Sequence, residues 1–246
     1  MASFHVRSVS LPKSSHPLTL AVEEQLCQLR ITEQATSSSS ICKNLSGLKD
    51  LYECVEDFLS TQNGECLDSN LDGSILLLDV CSIVKDVLSQ IKQSVQELQS
   101  SIRRSNEVSE YMIARKKITK VIRKCLSDLK NNKKNETEVS MLTEVEAAAL
   151  AVFESILLFL SVPKENKSLI SKLMLTKRVA HKSNEEISEI MKVDSAVKSL
   201  TKGIEVNNVR KTLGDLEMTL QDIEDGLETV FRCLIKNRVS LLNINQ

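Results

Sequence analysis

Three histidines serve the whole 246-residue chain: His5, His16 and His181. The first two share an N-terminal stretch rich in Ser and Pro, and the third sits in a basic segment. No HExxH pair offers itself to zinc, and neither a P-loop nor a GxGxxG turn is present to cradle a phosphate. The GxSxG elbow of a serine hydrolase is missing as well. A di-iron centre in a helical bundle needs Glu-x-x-His, and no Glu here is followed by His three residues on. Carboxylates from separate helices remain for acid–base work, but no spacing singles out a pair. This inventory predicts no catalytic residue, no cofactor and no metal, and a protein that acts by binding. An enzyme of unrecognised type is the outlying reading, and a deep pocket with clustered carboxylates would revive it.

Sulfur chemistry gives no stronger lead. The seven cysteines, Cys27, Cys42, Cys54, Cys66, Cys81, Cys125 and Cys233, include no CxxC pair, and their odd number leaves one over in any disulfide scheme. Several fall on apolar stripes, which predicts reduced core thiols and an intracellular, cytoplasmic chain. The opening residues lack the apolar run of a secretory leader. Ala2 stands where myristoylation needs Gly, and the closing Asn-Ile-Asn-Gln is no prenylation box.

Features that could bind are sharper. Arg7-Ser8-Val9-Ser10-Leu11-Pro12 has the form R-S-x-S-x-P, that of a 14-3-3 docking site once Ser10 is phosphorylated. The phosphate adds about -1.5 to -2 charge and three acceptor oxygens that an arginine cluster can grip. A second feature is electrostatic. Formal net charge is only -1, yet residues 103–134 carry eleven Lys and Arg against three acids. Arg115, Lys116, Lys117, Lys120, Arg123 and Lys124 crowd within three helical turns, a candidate contact for an anionic membrane surface. Nucleic acid is the weaker partner, because aromatics for base stacking are not interleaved. The same cations have an internal alternative. Asp215, Glu217, Asp222, Glu224, Asp225 and Glu228 form an acidic run with no Lys or Arg between them, and the basic and acidic helices could lie side by side.

The elements that must carry these groups are helices. The chain has 6 Gly, 3 Pro and no Trp among 246 residues, a composition poor in turn and sheet formers. Residues 1–18, interrupted by Pro12 and Pro17, read as a flexible tail. Helical spacing starts at Leu18. Ile41 to Ser60 forms a second helix, with Thr36 to Ser40 as loop or N-cap. A long helix opens at Ser69 or Asp72, its seam assigned to Ile75, Leu76, Val80, Ile83, Val84, Val87, Ile91, Val95, Leu98 and Ile102. Val108, Tyr111, Arg115, Ile118, Ile122, Cys125 and Leu129 step by three and four, as heptads do. Met141 to Val162 is the most apolar stretch, closed by Pro163. Its run from Ala147 is shorter than the roughly 20 residues a membrane span needs and contains Glu154, so it reads as a buried core helix. Asn166 to Lys182 reads as a basic helix and Asn184 onward as another, ending before Gly203. Leu213, Leu216, Leu220, Ile223, Leu227, Val230 and Leu234 complete a heptad row that suits an internal seam or, less well, a homo-oligomeric coiled coil through 213–234.

Several stretches also resemble a known family. They are Met1 to Pro12, His16-Pro17-Leu18, Val22 to Arg30, Leu48 to Tyr52, Leu71-Asp-Gly-Ser74, Leu77 to Cys81, and Glu97 to Ser100 with Arg103-Arg104. Together they resemble a plant-specific family of uncharacterised helical proteins related to BYPASS, along nearly the full chain. The resemblance implies a land-plant source, a helical fold and a role in root or shoot development, including limits on a mobile root-derived signal. It carries over no catalytic residue. One departure is visible: the family usually has a tryptophan shortly before Leu-Asp-Gly-Ser, and Cys66 to Asn70 contains none.

The expectation is an all-α protein, an elongated antiparallel bundle of six to eight helices over residues 19–246 behind the N-terminal tail. It would act as a non-enzymatic regulator or adaptor through a protein partner, with peripheral contact to an anionic membrane as the alternative.

Overall fold

Helix starts follow the capping side chains that the sequence offers. Ser37 accepts a hydrogen bond from the Ser40 backbone N–H at 3.3 Å, and Ser140 accepts one from Thr143 N–H at 3.1 Å. Each satisfies a donor that the first turn would otherwise leave open. The computed structural model describes residues 17–32, 37–61, 68–104, 107–132, 140–161, 189–200 and 206–244. Within them lie seven helices: α1 (Pro17–Thr32), α2 (Ser38–Leu59), α3 (Asp68–Arg104), α4 (Ser109–Asn132), α5 (Met141–Leu160), α6 (Glu189–Leu200) and α7 (Val206–Ile244). No strand occurs among the described residues. The expected helix at 166–182 and the expected start at Asn184 fall outside them, as do Arg7, Ser8, Ser10 and Pro12.

Four helices make the centre. Both α5 and α7 pack against α2 and α3, which gives a four-helix ring with α5 and α7 across from each other. Outside it, α1 lies on α2 and α5, α4 on α3 and α5, and α6 on α7. Chain direction follows from the cross-links. Lys85, Lys92 and Gln99 of α3 meet Glu228, Glu224 and Glu217 of α7 in reverse order, so that pair is antiparallel. Tyr52 and Glu56 of α2 meet Asn237 and Ser240 in the same order, so α2 lies parallel to α7. A helix packed on both arms of the α2–α3 hairpin can oppose only one of them.

Burial shows which apolar rows drive this packing. The α7 row Leu213, Leu216, Leu220, Ile223, Leu227, Val230 and Leu234 is at most 3% exposed. That row is therefore packed against the neighbouring helices of the same chain. The helix also runs beyond the row at both ends, to Val206 and Ile244. Gly226 permits its close approach to α2, since a Cβ there would stand 2.9 Å from Leu45 Cδ1. On α3 the inward phase is Leu77, Val80, Cys81, Val84, Val87, Leu88 and Ile91, continuing to Ile102. Ile75 and Ile83, expected in that seam, face outward, because they sit out of phase with the 3.6-residue row that meets α7 and α5. Helix α5 is apolar on most of its circumference and fully buries Phe153, Ile156 and Leu157, as a central bundle helix must. No helix of the described residues is long and apolar enough to cross a membrane.

Candidate functional site

Helix α4 divides its residues cleanly between two faces. Tyr111, Arg115, Ile118, Ile122, Cys125 and Leu129 point into the bundle. Opposite them, Lys116, Lys117, Lys120, Arg123 and Lys124 are exposed, and among the described residues none of the five has an ion-pair partner. Ile113, 54% exposed, lies on the same outward face, with Val121 at its flank. The positions 113, 116, 117, 120 and 124 are spaced by three and four, so they share one ridge. Chemically this ridge is a cation row with apolar insertions.

Arg115 must be removed from that row. It was expected among the surface cations, but it is 2% exposed and lies on the inward face. Its Nε and Nη2 donate to Asp194 Oδ1 and Oδ2 of α6 at 3.2 and 2.9 Å. Its Nη1 donates to the Leu160 carbonyl, the last residue of α5, at 3.0 Å. Tyr111 O–H donates to Asp194 Oδ1 at 2.7 Å. The forked guanidinium suits the carboxylate geometrically, and its charge suits the negative end of the α5 dipole. Burial raises the Tyr111 pKa well above the usual tyrosine range, and the Asp194 charge adds to it. One buried cluster thus ties α4, α5 and α6 together, and it is structural chemistry rather than a contact surface.

The acidic run on α7 does not meet α4. Its partners are on α3. Lys85 Nζ donates to Glu228 at 2.6 Å and sits 4.4 Å from the centroid of the Phe231 ring. Lys92 pairs with Glu224, and Gln99 donates to Glu217 at 3.0 Å. Lys85, Lys92 and Gln99 are seven residues apart, the repeat at which an antiparallel neighbour presents the same edge. The cations of α4 therefore stay available to solvent. Glu228 is held below the usual carboxylate range by the hydrogen bond and charge of Lys85.

The described cysteines, Cys27, Cys42, Cys54, Cys81, Cys125 and Cys233, are free thiols. Burial pushes Cys81 up to about 12, against the lowering effect of nearby Lys85. Such a thiol is no nucleophile near neutral pH. No group of three or more His, Cys, Asp or Glu among the described residues is arranged to hold a metal ion.

Residues 44–244, from the second turn of α2 to the end of α7, match the family described as Protein BPS1. This chain belongs to the BPS1 family. The match agrees with the BYPASS resemblance of the sequence and covers the four-helix ring apart from the first turns of α2, together with the α4 ridge and the Arg115–Asp194 cluster. No curated protein and no solved structure matches the chain.

Proposed function

We propose that this BPS1-family chain is a non-catalytic regulator of plant development that works by binding, with the outward ridge of α4 as its contact with an anionic membrane surface. Family membership supports the developmental role. The observation that carries the contact is the row Lys116, Lys117, Lys120, Arg123 and Lys124, exposed and without ion pairs among the described residues, with exposed Ile113 at its N-terminal end. Near an anionic leaflet each such cation contributes about 1 kcal/mol, and an apolar residue at the ridge can sink into the headgroup boundary. In this reading the protein is cytoplasmic and peripheral. The full chain should co-sediment with phosphatidylserine-containing vesicles but not with phosphatidylcholine alone, and added salt should release it. Lys116→Glu, Lys117→Glu and Lys120→Glu together should weaken partitioning by at least about tenfold, since they reverse three contributions of that size. Undiminished binding by the triple variant would reject the site.

The tail motif supports a second reading as an adaptor. Arg7-Ser8-Val9-Ser10-Leu11-Pro12 fits phosphorylation of Ser10 and capture by a 14-3-3 protein. Comparison of the proteins that co-purify from plant tissue with the intact chain and with Ser10→Ala tests it. An unchanged set removes the motif from consideration.

A further inference from the structure

Two buried polar atoms are left without a partner at one place in the four-helix ring: the Tyr52 hydroxyl and Asn237 Oδ1. Tyr52 is 4% exposed and Asn237 5%. Both line a cavity to which α2, α3, α5 and α7 contribute three residues each. The cavity gives about 30 Å³ to the centres of water-sized molecules, and one such molecule needs roughly 10–15 Å³ by that measure. Orphaned buried polar groups of this kind cost about 1–3 kcal/mol each, and two beside a single cavity call for a common occupant.

The chemistry of that occupant follows from hydrogen-bond accounting. Asn237 Nδ2 donates to the Tyr52 carbonyl and to the Cys233 carbonyl, both at 3.2 Å. Both amide hydrogens are engaged, and turning the amide over would lose both bonds. Its Oδ1 is therefore an acceptor that needs a donor. Burial raises the Tyr52 pKa well above its usual range, with the Glu146 carboxylate adding to the effect, so the group stays a phenol and donates. Neither atom bonds the other. An occupant that accepts from Tyr52 and donates to Asn237 satisfies both atoms, and a hydroxyl does both. The rest of the wall is largely aliphatic, with Val55, Leu77, Val145 and Leu234 among its residues.

We propose that this cavity is a binding site for a small hydroxyl-bearing molecule with an apolar body, its hydroxyl held between Tyr52 and Asn237. The Leu71-Asp-Gly-Ser74 stretch helps to build the site. Arg238 Nη1 donates to the Leu71 carbonyl at 2.9 Å and to Ser74 Oγ at 2.7 Å, which pins the start of α3 to α7 beside the cavity. Gly73 leaves room for Glu146, whose carboxylate a Cβ at that position would overlap.

The chain has two tyrosines and no tryptophan, so a carbon-13 tyrosine label on the full-length protein gives one signal for Tyr52 and one for Tyr111. Leu and Val methyl labels add the cavity wall. Ethanol, whose three heavy atoms match a cavity for about two or three water-sized centres, should shift Tyr52 and the Val145 and Leu234 methyls saturably and leave Tyr111 still. Acetonitrile also has three heavy atoms and accepts from Tyr52 but cannot donate to Asn237, and it should bind about tenfold more weakly, the effect of one buried hydrogen bond. Tyr52→Phe should bring the alcohol down by a similar factor, with an unmoved Tyr111 signal showing that the fold is kept. Three results would overturn the proposal: no saturable shift, as for a cavity that holds only water; equal binding of alcohol and nitrile; or an alcohol affinity indifferent to Tyr52→Phe.

Discussion

Arg115 shows how one residue can satisfy two sequence patterns that demand opposite places. It belongs to the run Arg115-Lys116-Lys117, which reads as surface, and to the row Tyr111, Arg115, Ile118, Ile122, which reads as core. The structure follows the row, with Arg115 2% exposed. Helical spacing decides the face, and a charge on that face is tolerated once a partner compensates for its desolvation. The partner Asp194 carries the same signal, since it continues the buried row Ile190, Val193 and Val197 of α6. What spacing could not supply is that these two rows meet, because 79 residues separate the pair. Removing one member strands the other charge. Asp194→Ala should cost about 3–5 kcal/mol in urea unfolding, while Arg115→Met combined with Asp194→Leu should recover most of that loss. A double variant as unstable as the single one would show that Tyr111 and the Leu160 carbonyl, rather than the ion pair, dominate the cluster.

At the scale of elements, periodicity was the legible part and adjacency was not. The row from Leu213 to Leu234 and the apolar stretch of α5 could be placed in the core from spacing and composition alone, and both are buried there. The six outward cations of α4 became five, and the acidic run of α7 found its partners on α3 rather than α4. A tally of charges in two segments favours their pairing but contains no topology; the lysines that do the pairing are seven residues apart on a helix with little net excess of either sign. The cavity between Tyr52 and Asn237 was equally invisible, because it needs four helices to close. Electrostatics along the α3–α7 edge should behave as a partly solvated pair does. Lys92→Glu places like charge against Glu224, itself 36% exposed on its side chain. It should lower stability by no more than about 1 kcal/mol at physiological salt. The loss should be larger in dilute buffer and smaller at high salt as the charges are screened. A salt-independent loss would mean that the substitution disturbs packing and that the pair's charge is incidental.

For the molecule as a whole, α7 is the member on which most of the others depend. It has 39 residues, about 58 Å at the usual rise, and it packs against α2, α3 and α6 while α5 closes the ring from the far side. A heptad row of this quality could equally have been the seam of a two-chain coiled coil, and the two arrangements differ in how stability depends on concentration. When folding is coupled to association, mass action makes the unfolding temperature rise with protein concentration. A row buried within one chain gives no such dependence. Leu220 is completely buried at the middle of the row. Leu220→Ala should therefore cost about 2–5 kcal/mol as a cavity in the core, and its unfolding temperature should stay constant over a hundredfold range of protein concentration, as should that of the unaltered chain. A temperature that climbs with concentration in the unaltered chain and falls most steeply on dilution in Leu220→Ala would mean that α7 is shared between copies, and the four-helix ring would then have to be drawn across two chains.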